Sequence, residues 1–311
     1  MTTIEQTLPF TDSSGHQISG ILAKPPGGTD RLAVLCHGFL SNKNSATNRA
    51  LTAMLLPQGI ATLRFDFFGH GDSEGPFEKL TVGIAVQQTL AALGLAGSRG
   101  YRKIGLVGSS FGGLVSILAA GQLETPINIS ASDARSAEID IQPQTATISP
   151  ARHYTLPPPV GQDRPFSRGT RRDASFSPGL TCLALKCPVS DLAAMLRDEF
   201  GTTEMRQWQR TNTIPNITGK PGRIPLLFSF YEDCAHHVAY EAPKAMTLPT
   251  LIVHGDADEC VPVAQSLRLQ EFLGGNTSLV VLAGADHHFS QPAHFREMTE
   301  HIGRWIVDHL N

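Results

Sequence analysis

Residues 108 to 112 read Gly-Ser-Ser-Phe-Gly, which sets Ser110 in the frame Gly-x-Ser-x-Gly. The frame has a physical reason. A serine at a sharp strand-to-helix turn takes a strained backbone, and glycines two positions either side let strand and helix approach. The turn lifts the hydroxyl above the sheet. The helix N-terminus beneath it presents N–H groups to a developing oxyanion. The pattern is weak alone, but residues 104 to 107 before it read as a strand and residues 111 to 120 after it as a helix. The frame fits Ser110 only; Ser109 falls on an x position.

A serine hydroxyl is inert at its free pKa and needs a base, and the base needs an orienter. Gly255-Asp256-Ala257-Asp258-Glu259-Cys260 follows one strand-like run, and Gly284-Ala285-Asp286-His287 follows the next. Ser, then Asp, then His would place Ser110, Asp258 and His287 at the carboxyl ends of parallel strands, where such sheets build their sites.

The elements that must position these residues alternate. Strands are expected at residues 18–23, 32–36, 60–65, 104–107, 180–185, 250–253 and 278–282. Helices are expected at 46–58, 80–95, 111–120, 191–200, 261–273 and 297–310. The pattern predicts an α/β fold with a mostly parallel central sheet and helices on both faces. It breaks at residues 122–178, which hold eight of the 21 prolines amid Ser, Thr, Arg and Gln. This segment reads as a polar insertion unable to bury enough apolar surface to stay ordered. The rest of the chain is expected to form one domain, with residues 191–247 as a mixed region before the next strand.

Composition narrows the function. The chain has 311 residues, 41% hydrophobic and 17% charged, with a net charge of −3. This excludes a collagen, a coiled coil and a fully disordered chain. Twenty-five Lys and Arg against 28 Asp and Glu give no surplus for nucleic acid. No apolar run reaches the roughly 20 residues of a membrane helix, and the first residues lack a secretion-type leader. The expected location is the cytoplasm. Cys36, Cys182, Cys187, Cys234 and Cys260 are scattered with no Cys-x-x-Cys pair, so neither a disulfide framework nor a zinc site is expected. Gly105, Gly108, Gly112 and Gly113 do not form Gly-x-Gly-x-x-Gly, and no phosphate-loop lysine follows. His236-His237 and His287-His288 lack neighbours at ligand spacing. No cofactor and no metal are expected.

Five motifs in order carry a resemblance: residues 36–39 (Cys-His-Gly-Phe), 65–73 (Phe-Asp-Phe-Phe-Gly-His-Gly-Asp-Ser), 108–112, 254–262 (His-Gly-Asp-Ala-Asp-Glu-Cys-Val-Pro) and 284–289 (Gly-Ala-Asp-His-His-Phe). The sequence resembles the α/β-hydrolases, within them the serine esterase, acyl hydrolase and aminopeptidase-like group, and its motifs most resemble those of cinnamoyl and feruloyl esterases. The resemblance covers residues 1–121 and 180–311 and departs at 122–178. It implies Ser110 as nucleophile, His287 as base and Asp258 as the acid that orients it. It implies an oxyanion hole from the backbone N–H groups of Phe39 and Phe111, and a small cap after strand six, residues 191–247. The implied reaction is hydrolysis of a small-molecule carboxylic ester through an acyl-enzyme, with no nucleic acid or membrane partner.

Several residues compete for these roles. His288 adjoins His287; Asp256 and Glu259 share the loop of Asp258; Asp191 ends the preceding strand region; Asp286 adjoins His287. His37 and Asp66 are expected to tie loops together rather than to react. Phe228, Phe230 and Tyr231 are expected either to line a pocket or to pack in the core. Other readings are a peptidase or amidase on the same three residues, and a domain whose activity the 122–178 segment impairs. A histidine base predicts activity that falls as pH drops through the range where an imidazole gains its proton, on the acid side of neutral. A pH–rate profile flat between about pH 5 and 8 would exclude it.

Overall fold

Residues 32–36 and 104–107 are apolar on both faces, a pattern suited to strands covered from both sides. The computed structural model, described for residues 4–124, 179–217, 221–241, 246–273 and 276–311, places them at the centre of an eight-stranded sheet. The strands are β1 (Ile4–Thr7), β2 (Gly20–Lys24), β3 (Arg31–Cys36), β4 (Ala61–Phe65), β5 (Lys103–Ser109), β6 (Leu180–Lys186), β7 (Thr250–Gly255) and β8 (Thr277–Leu282). Their order is β1-β2-β4-β3-β5-β6-β7-β8. β1 and β2 run antiparallel to their neighbours, and the strands from β4 across to β8 are parallel. This is the α/β architecture with a mostly parallel sheet that the alternation predicts.

Helices cover both faces. α1 (Ala46–Leu55) and α7 (Pro292–Leu310) close one side, where Leu51, Leu55, Met298, Ile302 and Ile306 pack on Ala33, Leu35, Val107 and Ala184. α2 (Val82–Ser98) and α3 (Phe111–Glu124) close the other, over Val34, Leu63, Ile104 and Leu106. α6 (Val263–Leu273) follows β7. Ser45 and Thr81 cap α1 and α2 through their side-chain oxygens.

Some boundaries move. α3 runs to Glu124, so the first three residues of the expected 122–178 insertion are helical. Residues 125–178 lie outside the described residues. After them β6 pairs with β5, from Gly105 opposite Cys182 to Ser109 opposite Lys186, and with β7 on its other edge. Asp191 caps α4 (Leu192–Thr211), two helical stretches joined across a kink at Gly201 (φ 61°, ψ 177°), and the expected end at residue 200 coincides with that kink. Asn212, in the left-handed region, ends it. A short ribbon, Thr213–Pro215 against Arg223–Pro225, and α5 (Ser229–Cys234) complete the segment between β6 and β7. Trp208 is fully buried there and donates its indole N–H to the Leu226 carbonyl at 2.7 Å. α7 begins at Pro292, five residues before the expected start.

The β5–α3 turn leaves no room for side chains on its glycines. A Cβ on Gly108 would lie 2.3 Å from the Gly112 carbonyl oxygen, and one on Gly112 would lie 2.5 Å from that of His37. Gly94, exposed on α2, has nothing within 4 Å of such a Cβ. Gly112→Ala should therefore destabilise by about 1–3 kcal/mol or more, whereas Gly94→Ala should stabilise by about 0.5–1 kcal/mol. Urea unfolding of the two variants against wild type checks both signs.

Candidate active site

Ser110 sits between β5 and α3 with φ 54°, in the left-handed region that costs a side-chain-bearing residue about 1–3 kcal/mol. Its main chain is held from several directions. The Ser110 N–H donates to the Lys186 carbonyl at 2.8 Å, and the Ser110 carbonyl accepts from the N–H groups of Gly113 at 2.8 Å and Val189 at 3.2 Å. The turn thus ties β5 to the end of β6.

The side chain of Ser110 meets His287, which the loop after β8 delivers. Ser110 Oγ lies 3.1 Å from His287 Nε2, and His287 Nδ1 lies 2.7 Å from Asp258 Oδ2. An ionised carboxylate can only accept, so Nδ1 carries the proton and Nε2 is left to accept from the hydroxyl. Asp258 follows β7, and its side chain is fully buried. Oδ1 accepts the N–H groups of Cys260 at 2.9 Å and Val261 at 2.8 Å. Burial pushes the Asp258 pKa up, but the bonds from His254, His287 and the Val261 N–H outweigh it and hold the carboxyl well below the usual range.

The competing residues are engaged elsewhere. Asp256 accepts the Gly284 N–H at 2.6 Å, Asp191 the Ala194 N–H at 2.9 Å, and Asp286 the Ser290 N–H at 2.8 Å. Glu259 is exposed and accepts the His287 backbone N–H at 3.4 Å. His288 is exposed, its ring 5.4 Å from that of His287.

The Phe39 loop is held from below by two buried imidazoles. His37 Nε2 accepts the Phe67 N–H at 3.0 Å and its Nδ1 faces the Gly38 carbonyl at 2.8 Å. His70 Nε2 accepts the Leu40 N–H at 3.2 Å and its Nδ1 faces the Phe68 carbonyl at 3.0 Å. Leu40 itself has φ 55°. Asp66 is fully buried; it accepts the backbone N–H groups of Lys43 at 2.6 Å and Asp72 at 2.9 Å, and pairs with the Lys43 ammonium. Among the described residues neither the Phe39 nor the Phe111 N–H is engaged in a hydrogen bond. Both residues line the same cavity as Ser110 and His287.

That cavity holds about 540 Å³. Leu192, Met195, Leu196, Ile214, Leu226 and Phe230, all from the segment between β6 and β7, form much of its wall. No Asp, Glu, Lys or Arg lines it among the described residues. Phe230 also packs on Phe39, ring centres 5.5 Å apart, while Phe228 and Tyr231 pack against Trp208.

Two buried groups here have contacts that no motif reading assigns. His254 Nε2 lies 3.2 Å from Asp258 Oδ2 and 2.9 Å from the Val261 carbonyl, both acceptors, so Nε2 carries a proton, and Nδ1 lies 2.6 Å from Ser266 Oγ. Its signal was the four-residue spacing to Asp258 in a run of polar residues. Lys186 donates its ammonium to the His287 carbonyl at 2.7 Å; its signal was a lone charge ending an apolar strand. Metal-type donors also gather. The ligand atoms of Cys187, His254 and Asp258, and of Asp258, Cys260 and His287, lie within 4.8 Å of one another in each set. Both thiols hold their protons: burial raises Cys187, and burial with the Glu259 and Asp258 charges pushes Cys260 up to about 11. A cation would have to displace protons already shared along a hydrogen-bonded chain.

A profile of the alpha/beta hydrolase family matches residues 33–298. The chain belongs to the alpha/beta hydrolase family. Mouse palmitoyl-protein thioesterase ABHD10, mitochondrial, is 25% identical over 258 residues, covering 82% of this chain and 68% of the mouse protein. The structure of mouse ABHD10 aligns with a TM-score of 0.68 at 19% identity, covering 97% of this chain and 99% of that one. Est1E from Butyrivibrio proteoclasticus, solved with ferulic acid bound, aligns with a TM-score of 0.70 at 21% identity, covering 97% and 98%. Membership of the alpha/beta hydrolase family supports a hydrolase activity. Among the described residues no helix is long and apolar enough to cross a membrane.

Burial, and then the neighbouring His70, push His37 down to about 3. The neutral ring is thus favoured in the fold. The stability tied to it is complete above the unfolded imidazole value of about 6.5 and is lost as pH falls toward the folded value. The His37 ring resonances should stay constant in NMR spectra between about pH 5 and 8, and a titration step inside that window would contradict the assignment.

Proposed function

We propose that this protein is a serine hydrolase that cleaves carboxylic esters through an acyl-enzyme. The observation that carries the reading is the unbroken chain from Ser110 Oγ to His287 Nε2 at 3.1 Å and from His287 Nδ1 to Asp258 Oδ2 at 2.7 Å. In this reading Ser110 Oγ bonds to the substrate carbonyl carbon as its proton passes to His287 Nε2. The carbonyl π electrons move onto oxygen, where the N–H groups of Phe39 and Phe111 receive the charge. The intermediate collapses, the bond to the leaving oxygen breaks, and His287 returns the proton to that oxygen. Water repeats the sequence: it loses a proton to His287, attacks the acyl carbon and releases Ser110. Asp258 stays ionised and stabilises the imidazolium.

Residues 191–247 serve as the cap in this reading. Their apolar wall and the absence of charged lining support an uncharged, apolar acyl group. A thioester is a second reading, favoured by the mouse relative's palmitoyl-protein thioesterase activity. The same steps apply, with a thiolate leaving in place of an alkoxide.

Fluorophosphonate labelling with mass-spectrometric site mapping tests the nucleophile. Label should appear on Ser110, vanish in Ser110→Ala and persist in Ser109→Ala, whose hydroxyl is buried and makes no hydrogen bond. An unlabelled, folded wild type would overturn the reading. A panel of acetyl to octanoyl esters, the matching thioesters and aminoacyl anilides then separates the leaving groups. Esters or thioesters should outrun anilides, and kcat/KM should rise roughly fourfold per methylene that enters the cavity.

A further inference from the structure

Lys186 is 6% exposed, at the end of a strand that is otherwise buried and apolar over its last half. Taking an ammonium out of water is costly, and burial lowers the pKa of Lys186 while the charges of Asp258 and Asp286 act the other way. A methionine of similar length would fill the space without that cost. The lysine's contacts point to what the charge does. Its carbonyl accepts the Ser110 N–H at 2.8 Å, its ammonium donates to the His287 carbonyl at 2.7 Å, and its Nζ lies 5.1 Å from the ring centre of Phe289. Phe289 has φ 54°, so the loop that carries His287 is itself held in a conformation it does not favour. His287 enters from beyond β8, two strands away from β6. One residue therefore grips the nucleophile by its main chain and the base by its side chain.

We propose that Lys186 is a positioning residue that sets the distance between Ser110 and His287 by tying the His287 carbonyl to the strand end that also holds Ser110. This rests on the Ser110–His287 reading above. The contact is a single charge-assisted hydrogen bond to a backbone atom, roughly twice as strong as a neutral one and so able to fix where the His287 main chain lies. Misplacement of a reacting pair by roughly 1 Å costs up to about a hundredfold in rate.

The test compares wild type, Lys186→Met and Lys186→Arg in full-length protein. Read-outs are the rate of fluorophosphonate labelling at Ser110, kcat and KM on the best ester of the panel, and thermal unfolding. Lys186→Met should label and turn over about tenfold to a hundredfold more slowly, with KM within about threefold of wild type and a melting temperature unchanged or higher. Lys186→Arg, which keeps the charge and the donors, should recover a large part of the rate. Wild-type labelling and kcat in Lys186→Met would overturn the proposal. So would a loss of rate matched by a lower melting temperature that Lys186→Arg does not reverse, which is the signature of a structural prop. If Lys186→Met does not fold, Lys186→Gln takes its place, and an unchanged labelling rate there overturns it equally. A folded wild type that takes no label would bring down the serine-hydrolase reading itself, and this proposal with it; any labelled wild type leaves the two separable.

Discussion

The left-handed backbone of Ser110 is the constraint on which the rest depends. A serine held at φ 54° tends to relax, and only its surroundings keep it there. Gly108 and Gly112 let β5, α3 and the end of β3 meet at backbone contact distance. β6 must lie beside β5 so that Lys186 can accept the Ser110 N–H. The core packed on both faces of the sheet supplies the energy that enforces this geometry. The same device recurs around the site. Of the five non-glycine residues with positive φ among the described residues, Leu40, Ser110, Cys187 and Phe289 lie in loops leaving the carboxyl ends of β3, β5, β6 and β8. The fifth, Asn212, merely ends α4. Backbone strain in this molecule is gathered where the parallel strands end.

Beneath the strained turns lies a layer of buried polar groups whose protonation states are set by their partners. His37 and His70 stay neutral because each must present a lone pair to a backbone N–H. Asp258 stays ionised because it accepts from two backbone N–H groups and two imidazoles. These groups specify geometry more than they add stability, since buried charges and imidazoles bring desolvation costs that an apolar core would avoid.

Much of this was legible in the chain, for reasons that differ by residue. The sheet announced itself because central parallel strands are apolar on both faces, and because Gly59 and Pro262 punctuate helices by their own backbone preferences. The neighbourhood of Ser110, Asp258 and His287 was legible because each sits just after a strand, where motif and chain order coincide. The roles of Lys186 and of His254, which opens the 254–262 motif, were not legible, because each depends on contacts with residues distant in sequence or across a loop turn. The expected helix end at residue 200 coincides with the kink at Gly201, whereas the second helical stretch to Thr211, with Trp208 buried, was not read. The early start of α7 was missed because Pro292–Phe295 are exposed or only half-buried and do not share the period that marks Met298, Ile302 and Ile306.

The cavity wall has a different origin from the residues it faces. Eight of its apolar side chains come from the stretch between β6 and β7, whereas Ser110 and His287 hang from separate strands. Selection can therefore act on the two parts almost independently. A lineage could widen, narrow or lengthen the cavity by changing a handful of side chains in α4, the ribbon and α5. The register of the sheet and the conformation of the strained turns would be untouched. The architecture separates substrate drift from chemical drift, so descendants of such a chain would be expected to diverge first in what they admit and last in how they react.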